Sequence, residues 1–314
     1  MNIGLDMMGG DYAPLEAVKG LQLFFESTSS AAIAFLFGDE SQLQPLVQQH
    51  KLPANRIKII PTAEVIGMNE HPTKALKEKP KSSISIGFHF LASGKIDAFI
   101  SAGNTGAMLV GTLYSIKAME GVQRPTISTI IPKENGKTGL LLDVGLNADC
   151  KAEHLNQFAL LGSLYAQEIL SINNPRVGLV NIGEEEGKGN LLAQAAYPLL
   201  KENKNINFIG NIEGRDVLLD KADVMVCEGF TGNVILKMAE SIFDITQKKN
   251  IQHEYFDQFN FENYGGTPVL GVAKPVIIGH GISHAKAFKN MVLLAEKMLH
   301  SGLLDKMKRS FAAS

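Results

Sequence analysis

Ile96-Asp97-Ala98-Phe99-Ile100-Ser101-Ala102-Gly103-Asn104-Thr105-Gly106 (residues 96–106) is the stretch that decides the fold. Residues 96–100 form a short, nearly continuous apolar run, which suits a strand covered on both faces. A Ser-Ala-Gly-Asn turn follows, and residues 105–118 then read as a helix. The same unit recurs along the chain. Residues 2–6, 31–37, 57–60, 126–131, 140–144, 177–181, 206–209 and 224–227 read as further strands. Residues 14–26, 153–170, 190–200, 233–246 and 284–299 read as helices. The clearest is 153–170, where Leu155, Phe158, Gly162, Tyr165 and Ile169 share one face. Strands alternating with helices predict an α/β fold of three layers, a mostly parallel sheet with helices on both faces.

At 314 residues the chain is expected to form a single two-lobed domain over 1–314. Apolar residues are 45% and charged residues 20%, enough burial potential to exclude disorder as the main state. Thirty basic against 32 acidic residues give a net charge of −2, so no global field draws nucleic acid. Cys150 and Cys227 form no disulfide framework and read as buried, inert thiols in a reduced cytoplasmic setting. The opening MNIGLDMMGGD carries no basic-then-apolar leader, and no apolar run reaches the roughly 18 residues of a membrane span.

Ligands of open parallel sheets bind beyond the carboxyl ends of the strands. The turns expected there are 6–11 (DMMGGD), 101–106 (SAGNTG), 143–147 (DVGLN), 181–190 (NIGEEEGKGN), 210–216 (GNIEGRD) and 228–233 (EGFTGN). They combine glycine, which lets backbone approach a ligand, with Asn, Asp, Ser or Thr. Helix N-termini just beyond them offer N–H groups to anions. Together they predict a crevice for phosphate or a developing oxyanion. Plainer readings stand beside this one. The Gly-Asn and Gly-Asp turns serve equally as structural turns. Lys188 is either a solvated surface lysine or a cation held over an anion by a glycine-rich loop. Arg215 is either a surface ion-pair member or a phosphate fork. His280, between Gly279 and Gly281, has little packing role of its own. No phosphate-loop, dinucleotide, H-E-x-x-H, C-x-x-C or G-x-S-x-G motif occurs, so a metal site has no sequence support.

Taken in order, DMMGGD (6–11), SAGNTGAM (101–108), Arg124-Pro125, LLDVGLNADCK (141–151), NIGEEEGKGN (181–190), FIGNIEGRD (208–216), VCEGFTGNVILK (226–237), YGGTPVLG (264–271) and GHGISHAK (279–286) closely resemble the bacterial phosphate acyltransferase family known as PlsX. The resemblance implies a fold similar to phosphotransacetylases and, more distantly, isocitrate and isopropylmalate dehydrogenases. It implies transfer of a fatty acyl group from acyl carrier protein to inorganic phosphate, giving an acyl phosphate for phosphatidic acid synthesis. It further implies a homodimer without organic cofactor, cytoplasmic with peripheral contact at the inner face of the membrane. Coupling to a membrane acyl-phosphate:glycerol-3-phosphate acyltransferase belongs to the same expectation. The chain departs from the family in three places. Ile282-Ser283-His284 stands where Ser-Ser-Asp is usual, the stretch from Asn233 to Tyr264 is shorter, and Lys77 to Lys81 reads KEKPK rather than a denser basic cluster.

For such a reaction Gly9, Gly10, Asp11, Ser101, Gly103, Asn104 and Thr105 are expected to hold phosphate, with Lys188 or Arg215 adding charge-assisted contacts. Asn147, Asn233 or His280 would supply the oxyanion donor or protonate the leaving sulfur. Met7, Met8 and Phe230 are candidates to face the acyl chain, with core filling as the plainer use. Two rival functions remain open: a phosphotransacetylase-type transfer from acyl-coenzyme A, and a non-catalytic membrane-surface scaffold using Tyr255, Phe256, Phe259, Phe261 and Tyr264.

Overall fold

In chain order, the elements are β1 (Asn2–Asp6), α1 (Leu15–Ser27), β2 (Ile33–Gly38), α2 (Glu40–Gln49), β3 (Ile57–Pro61), α3 (Pro72–Glu78), α4 (Ser83–Ala92), β4 (Ala98–Ser101), α5 (Thr105–Gly111), β5 (Thr126–Pro132), β6 (Thr138–Leu142), α6 (Ala152–Glu168), β7 (Arg176–Asn181), α7 (Leu191–Glu202), β8 (Asn207–Glu213), β9 (Val224–Val226), α8 (Gly229–Lys248), α9 (Glu254–Asp257), β10 (Thr267–Leu270), β11 (Val276–Ile278), α10 (Ala285–His300) and α11 (Leu303–Ala312). The structure is a computed structural model that describes residues 1–312. The chain divides into two compact units. Unit 1 comprises residues 1–118 and 261–300, and unit 2 comprises 119–260 and Ser301 onward.

The strands of unit 1 lie in the order β3-β2-β1-β4-β11-β10. Neighbours are parallel except the β10–β11 pair. Consecutive residues of β1, β2 and β4 are buried, so both faces are covered, as continuous apolar runs require. Helices α1 and α10 pack on each other. On α4, Phe88 sits edge-on to Phe99 with ring centroids 5.2 Å apart. The sequence pattern does not predict this helix. Ile84, Ile86, Phe88 and Phe90 alternate as a strand would, but the Ser82 hydroxyl takes the Ser85 N–H as an N-cap.

The order in unit 2 is β5-β6-β9-β7-β8, parallel except for β5–β6. Helix α6 forms close to its expected limits and packs on β9 and β6. Helix α8 starts at Gly229, ahead of the expected residue 233, because Glu228 caps it. In unit 1, α5 gives way after Gly111 to a wider turn over Thr112–Ile116, short of the expected end at 118.

One end of the unit 2 sheet is fastened by charge. Lys133, fully buried just after β5, lies 3.1 Å from Asp223 and 3.3 Å from Asp220. Arg176, the first residue of β7, reaches the same two carboxylates at 2.9 and 2.6 Å. Burial opposes ionisation of both. The hydrogen bonds from Arg176 and the lysines outweigh it, holding Asp220 down at about 2 and Asp223 well below the usual carboxylate range. Asp223→Ala would leave Lys133 buried with a poorer partner, and should cost about 3–5 kcal/mol in urea unfolding. Since both folded-state values lie below the unfolded one, about 3.9, the network's contribution is fully present above that pH. It is lost as pH falls toward 2. Stability that stays flat through this acid range would contradict the network's role.

Candidate functional site

In unit 1, a buried carboxylate organises two of the glycine turns. Asp6 ends β1 and is 1% exposed. It accepts the Met8 N–H at 3.0 Å and the Ser101 hydroxyl at 2.7 Å. That hydroxyl in turn accepts the Gly103 N–H at 2.9 Å. Burial pushes the Asp6 carboxyl up, against hydrogen bonds from Ser101, Ser83, Met8 and Gly9. The turns after β1 and β4 are in contact: a Cβ on Gly9 would lie 2.6 Å from the Gly103 nitrogen, so only glycine fits there. The loop after β11 joins them, since the Asp11 N–H donates to Gly281 O at 2.8 Å. Tyr12 stacks on His284 with centroids 4.5 Å apart, and His280 lies against Phe261 at 5.1 Å.

Gly9, Gly10, Asp11, Ser101, Gly103, Asn104, Thr105 and His280 thus gather on adjoining loops of one unit, but two of their side chains are committed elsewhere. The Ser101 hydroxyl is engaged by Asp6 and Gly103. The Asn104 side chain accepts the Ala107 N–H at 2.9 Å as the cap of α5. Its amide nitrogen donates to the Gly67, Met68 and Glu70 carbonyls at 3.0, 3.1 and 3.0 Å. An amide nitrogen has only two hydrogens, so these contacts use its whole capacity. The Ser101 and Asn104 side chains, expected from the sequence to hold phosphate, here fasten the backbone of neighbouring turns and loops. Thr105 is exposed at the start of α5.

Unit 2 repeats the device. Asp143, fully buried just after β6, accepts the N–H groups of Gly145, Leu146 and Asn147 at 3.0, 3.0 and 2.8 Å. It also accepts the Asn147 side-chain amide at 2.6 Å, and that amide reaches Pro125 O as well, at 2.8 Å. Asn147 is therefore a brace of its turn rather than a free donor. Asn233, exposed on α8, donates to Val144 O at 3.1 Å and carries a second N–H. The first turn of α8 lies so close that a Cβ on Gly232 would collide with Asp143 O. The helix's N-terminal donors do not await an anion. Glu228 takes the N–H groups of Phe230 and Thr231 at 2.6 and 2.9 Å, and the Thr231 hydroxyl too.

Two further candidates lie on exposed loops of unit 2. Lys188 pairs with Glu185 at 4.0 Å, half exposed. Arg215 pairs with Glu213 at 2.5 Å and is 75% exposed, the plainer of its two readings. Of the apolar candidates, Met7 is fully buried in the core, Met8 is half-buried and Phe230 is 68% exposed. Cys150, whose thiol burial pushes up to about 12, and buried Cys227, also pushed up, are held as neutral thiols. Tyr255 packs on Phe256 and Phe259 at 5.5 and 5.4 Å, so these aromatics cover one another. Among the described residues no cluster could hold a metal ion, and no helix is long and apolar enough to cross a membrane. Sequence reasoning misses Asp6 and Asp143 as organising residues. Their shared signal is an Asp closing an apolar strand with glycine shortly after it.

A family model described as fatty acid synthesis protein matches residues 1–306. The phosphate acyltransferase of Dictyoglomus turgidum is 43% identical over 323 residues, covering 95% of this chain and 94% of that protein. The phosphate acyltransferase of Halothermothrix orenii is 42% identical over 329 residues and covers 98% of both. Among solved structures, a phosphotransacetylase from Streptococcus pyogenes superposes with a TM-score of 0.65 at 17% identity. It covers 96% of this chain and 94% of that one, a likeness of fold.

The hydrogen bonds of Asn104 make a separable prediction. Asn104→Ala removes a cap and the loop contacts and should cost about 2–4 kcal/mol. Thr105→Ala next to it should cost under about 0.5 kcal/mol. Urea midpoints of the two variants check this, and equal midpoints would show that Asn104 does not fasten the loop.

Proposed function

Because this chain belongs to the phosphate acyltransferase family of fatty acid synthesis proteins, and is therefore an acyltransferase, we propose that its donor is a fatty acyl-acyl carrier protein and its acceptor inorganic phosphate. The observation that carries this reading is 42–43% identity to phosphate acyltransferases over almost the whole chain. The product, an acyl phosphate, enters phospholipid synthesis.

Hydrogen phosphate is already ionised at neutral pH and needs orientation more than deprotonation. The glycine turns of unit 1 are suited to receiving it, because Gly9, Gly10 and Gly103 present no side chain beside Asp11 and Thr105 adds an exposed hydroxyl, while the Gly103 and Asp11 N–H groups hold the turns together. Asp6, Ser101 and Asn104 fix them. A phosphate oxygen attacks the thioester carbon, and charge builds on the carbonyl oxygen. The intermediate collapses by breaking the carbon–sulfur bond, and the thiolate, of pKa roughly 8.5 by the cysteine reference, takes up a proton. His280, on the loop after β11, serves as oxyanion donor or as the source of that proton. Asn233 offers an amide N–H for the first of these roles, with Asn147 bracing its own turn. Lys188 and Arg215 are exposed cations able to exchange a carboxylate partner for phosphate.

Self-association is part of the same reading. Phe230, Val234, Met238 and Ile245 recur at helical spacing on α8 and are all more than half exposed, an apolar face that a second copy would cover. Peripheral membrane contact and hand-over of the acyl phosphate to a membrane acyltransferase acting on glycerol 3-phosphate complete the proposal.

Formation of acyl phosphate from palmitoyl-acyl carrier protein and orthophosphate tests it. Equal or better turnover of acetyl-coenzyme A would instead favour the phosphotransacetylase reading. Lys188→Ala should lower kcat/KM by about 100-fold, in line with loss of one charge-stabilising donor. Its melting temperature should hold, because the side chain is half exposed. Wild-type turnover in that variant would remove Lys188 from the mechanism.

A further inference from the structure

Glycines and hydroxyl groups give a hydrocarbon nothing to pack against, so an acyl donor needs an apolar surface next to the turns that hold phosphate. Three half-exposed apolar side chains stand there on linked loops that follow separate strands of unit 1. They are Tyr12 after β1, Met68 after β3 and Ile282 after β11, exposed by 46, 43 and 45%. The loop that carries His280 links them. A Cβ on Gly281, next to Ile282, would lie 2.9 Å from the Met68 terminal methyl. Gly281 O accepts the Asp11 N–H, and Tyr12 stacks on His284, just past Ile282. Single exposed apolar residues are commonplace. Here three of them stand on loops tied to one another around the glycines of one site.

The backbone under Met68 is firmly fixed. Asn104 holds the carbonyls of Gly67, Met68 and Glu70. The Glu70 carboxylate accepts the Gly67 N–H at 2.6 Å and Lys79 Nζ at 2.5 Å, and Lys79 also reaches Val65 O at 2.8 Å. A braced loop thus presents one unbranched, adaptable side chain, the kind of group that fits hydrocarbon chains of varied length. We infer that Met68 is a specificity-determining residue that packs against the acyl chain of the donor, flanked by Tyr12 and Ile282. This rests on the acyl-transfer reading above and adds where the chain lies. Asn104, which sets the loop, is a positioning residue for it.

The test compares donors of different chain length on the same carrier protein. In Met68→Ala, kcat/KM for the palmitoyl donor should fall about tenfold and that for a butyryl donor less than about twofold, by the area of chain left uncovered. The KM for phosphate should move little. Ile282→Ser should shift the palmitoyl-to-butyryl ratio in the same direction. Both side chains are substantially exposed, so the variants should fold, and thermal denaturation verifies it. An unchanged ratio in both variants would overturn the inference, as would an equal loss on both donors. In either case wild-type acyl phosphate formation leaves the functional reading standing. Absence of acyl phosphate from any donor with the wild-type protein would remove that reading and this inference together.

Discussion

A chain leaving a buried parallel strand must find acceptors for N–H groups that the sheet no longer pairs, at a depth where water does not reach. Each unit of this protein meets that requirement with one carboxylate. Asp6 in unit 1 and Asp143 in unit 2 stand at the carboxyl end of a strand and collect the donors of the turn that follows. The burial this demands raises both carboxyl pKa values. In return the turns acquire one conformation, and glycine at closely approached positions lets neighbouring backbones come together.

Unit 2 also places two kinds of construction at opposite ends of its strands. Lys133, Arg176, Asp220 and Asp223 gather where β7 and β9 begin, while the Asp143 turn and the start of α8 lie where β6 and β9 end. Buried charges at one end tolerate little movement, because any broken pair leaves an uncompensated ion. The opposite end is built from turns whose donors are satisfied locally by Asp143 and Glu228.

The side chains in the turns of unit 1 do more to shape backbone than to face outward. Ser101 and Asn104 combine polar groups with deep burial, and their hydrogen bonds run to other loops of the same unit. A site made this way has its shape before any ligand arrives, because the N–H groups of Met8, Gly103 and Asp11 are already engaged within the unit. The apolar side chains around it then have a separate role, the recognition of the hydrocarbon part of the donor.

Most of the strands, the longer helices and the glycine turns are legible in the sequence, because they depend on contacts within a few residues: apolar runs, helical spacing, turn chemistry. The α4 segment goes unread for the same reason, since its Ile and Phe residues alternate with polar or small ones, and packing against Phe99 and a serine cap go with its helix. What the sequence could not determine is how each polar group spends its hydrogen bonds. Nothing in SAGNTG shows that the Asn104 amide nitrogen binds carbonyls 34 to 37 residues away, or that Ser101 finds Asp6 across 95 residues. Local pattern fixes which groups stand at a strand end. Only the tertiary fold decides which of them remain available, because a donor buried against a distant acceptor gives no sign of that partner in its neighbouring residues.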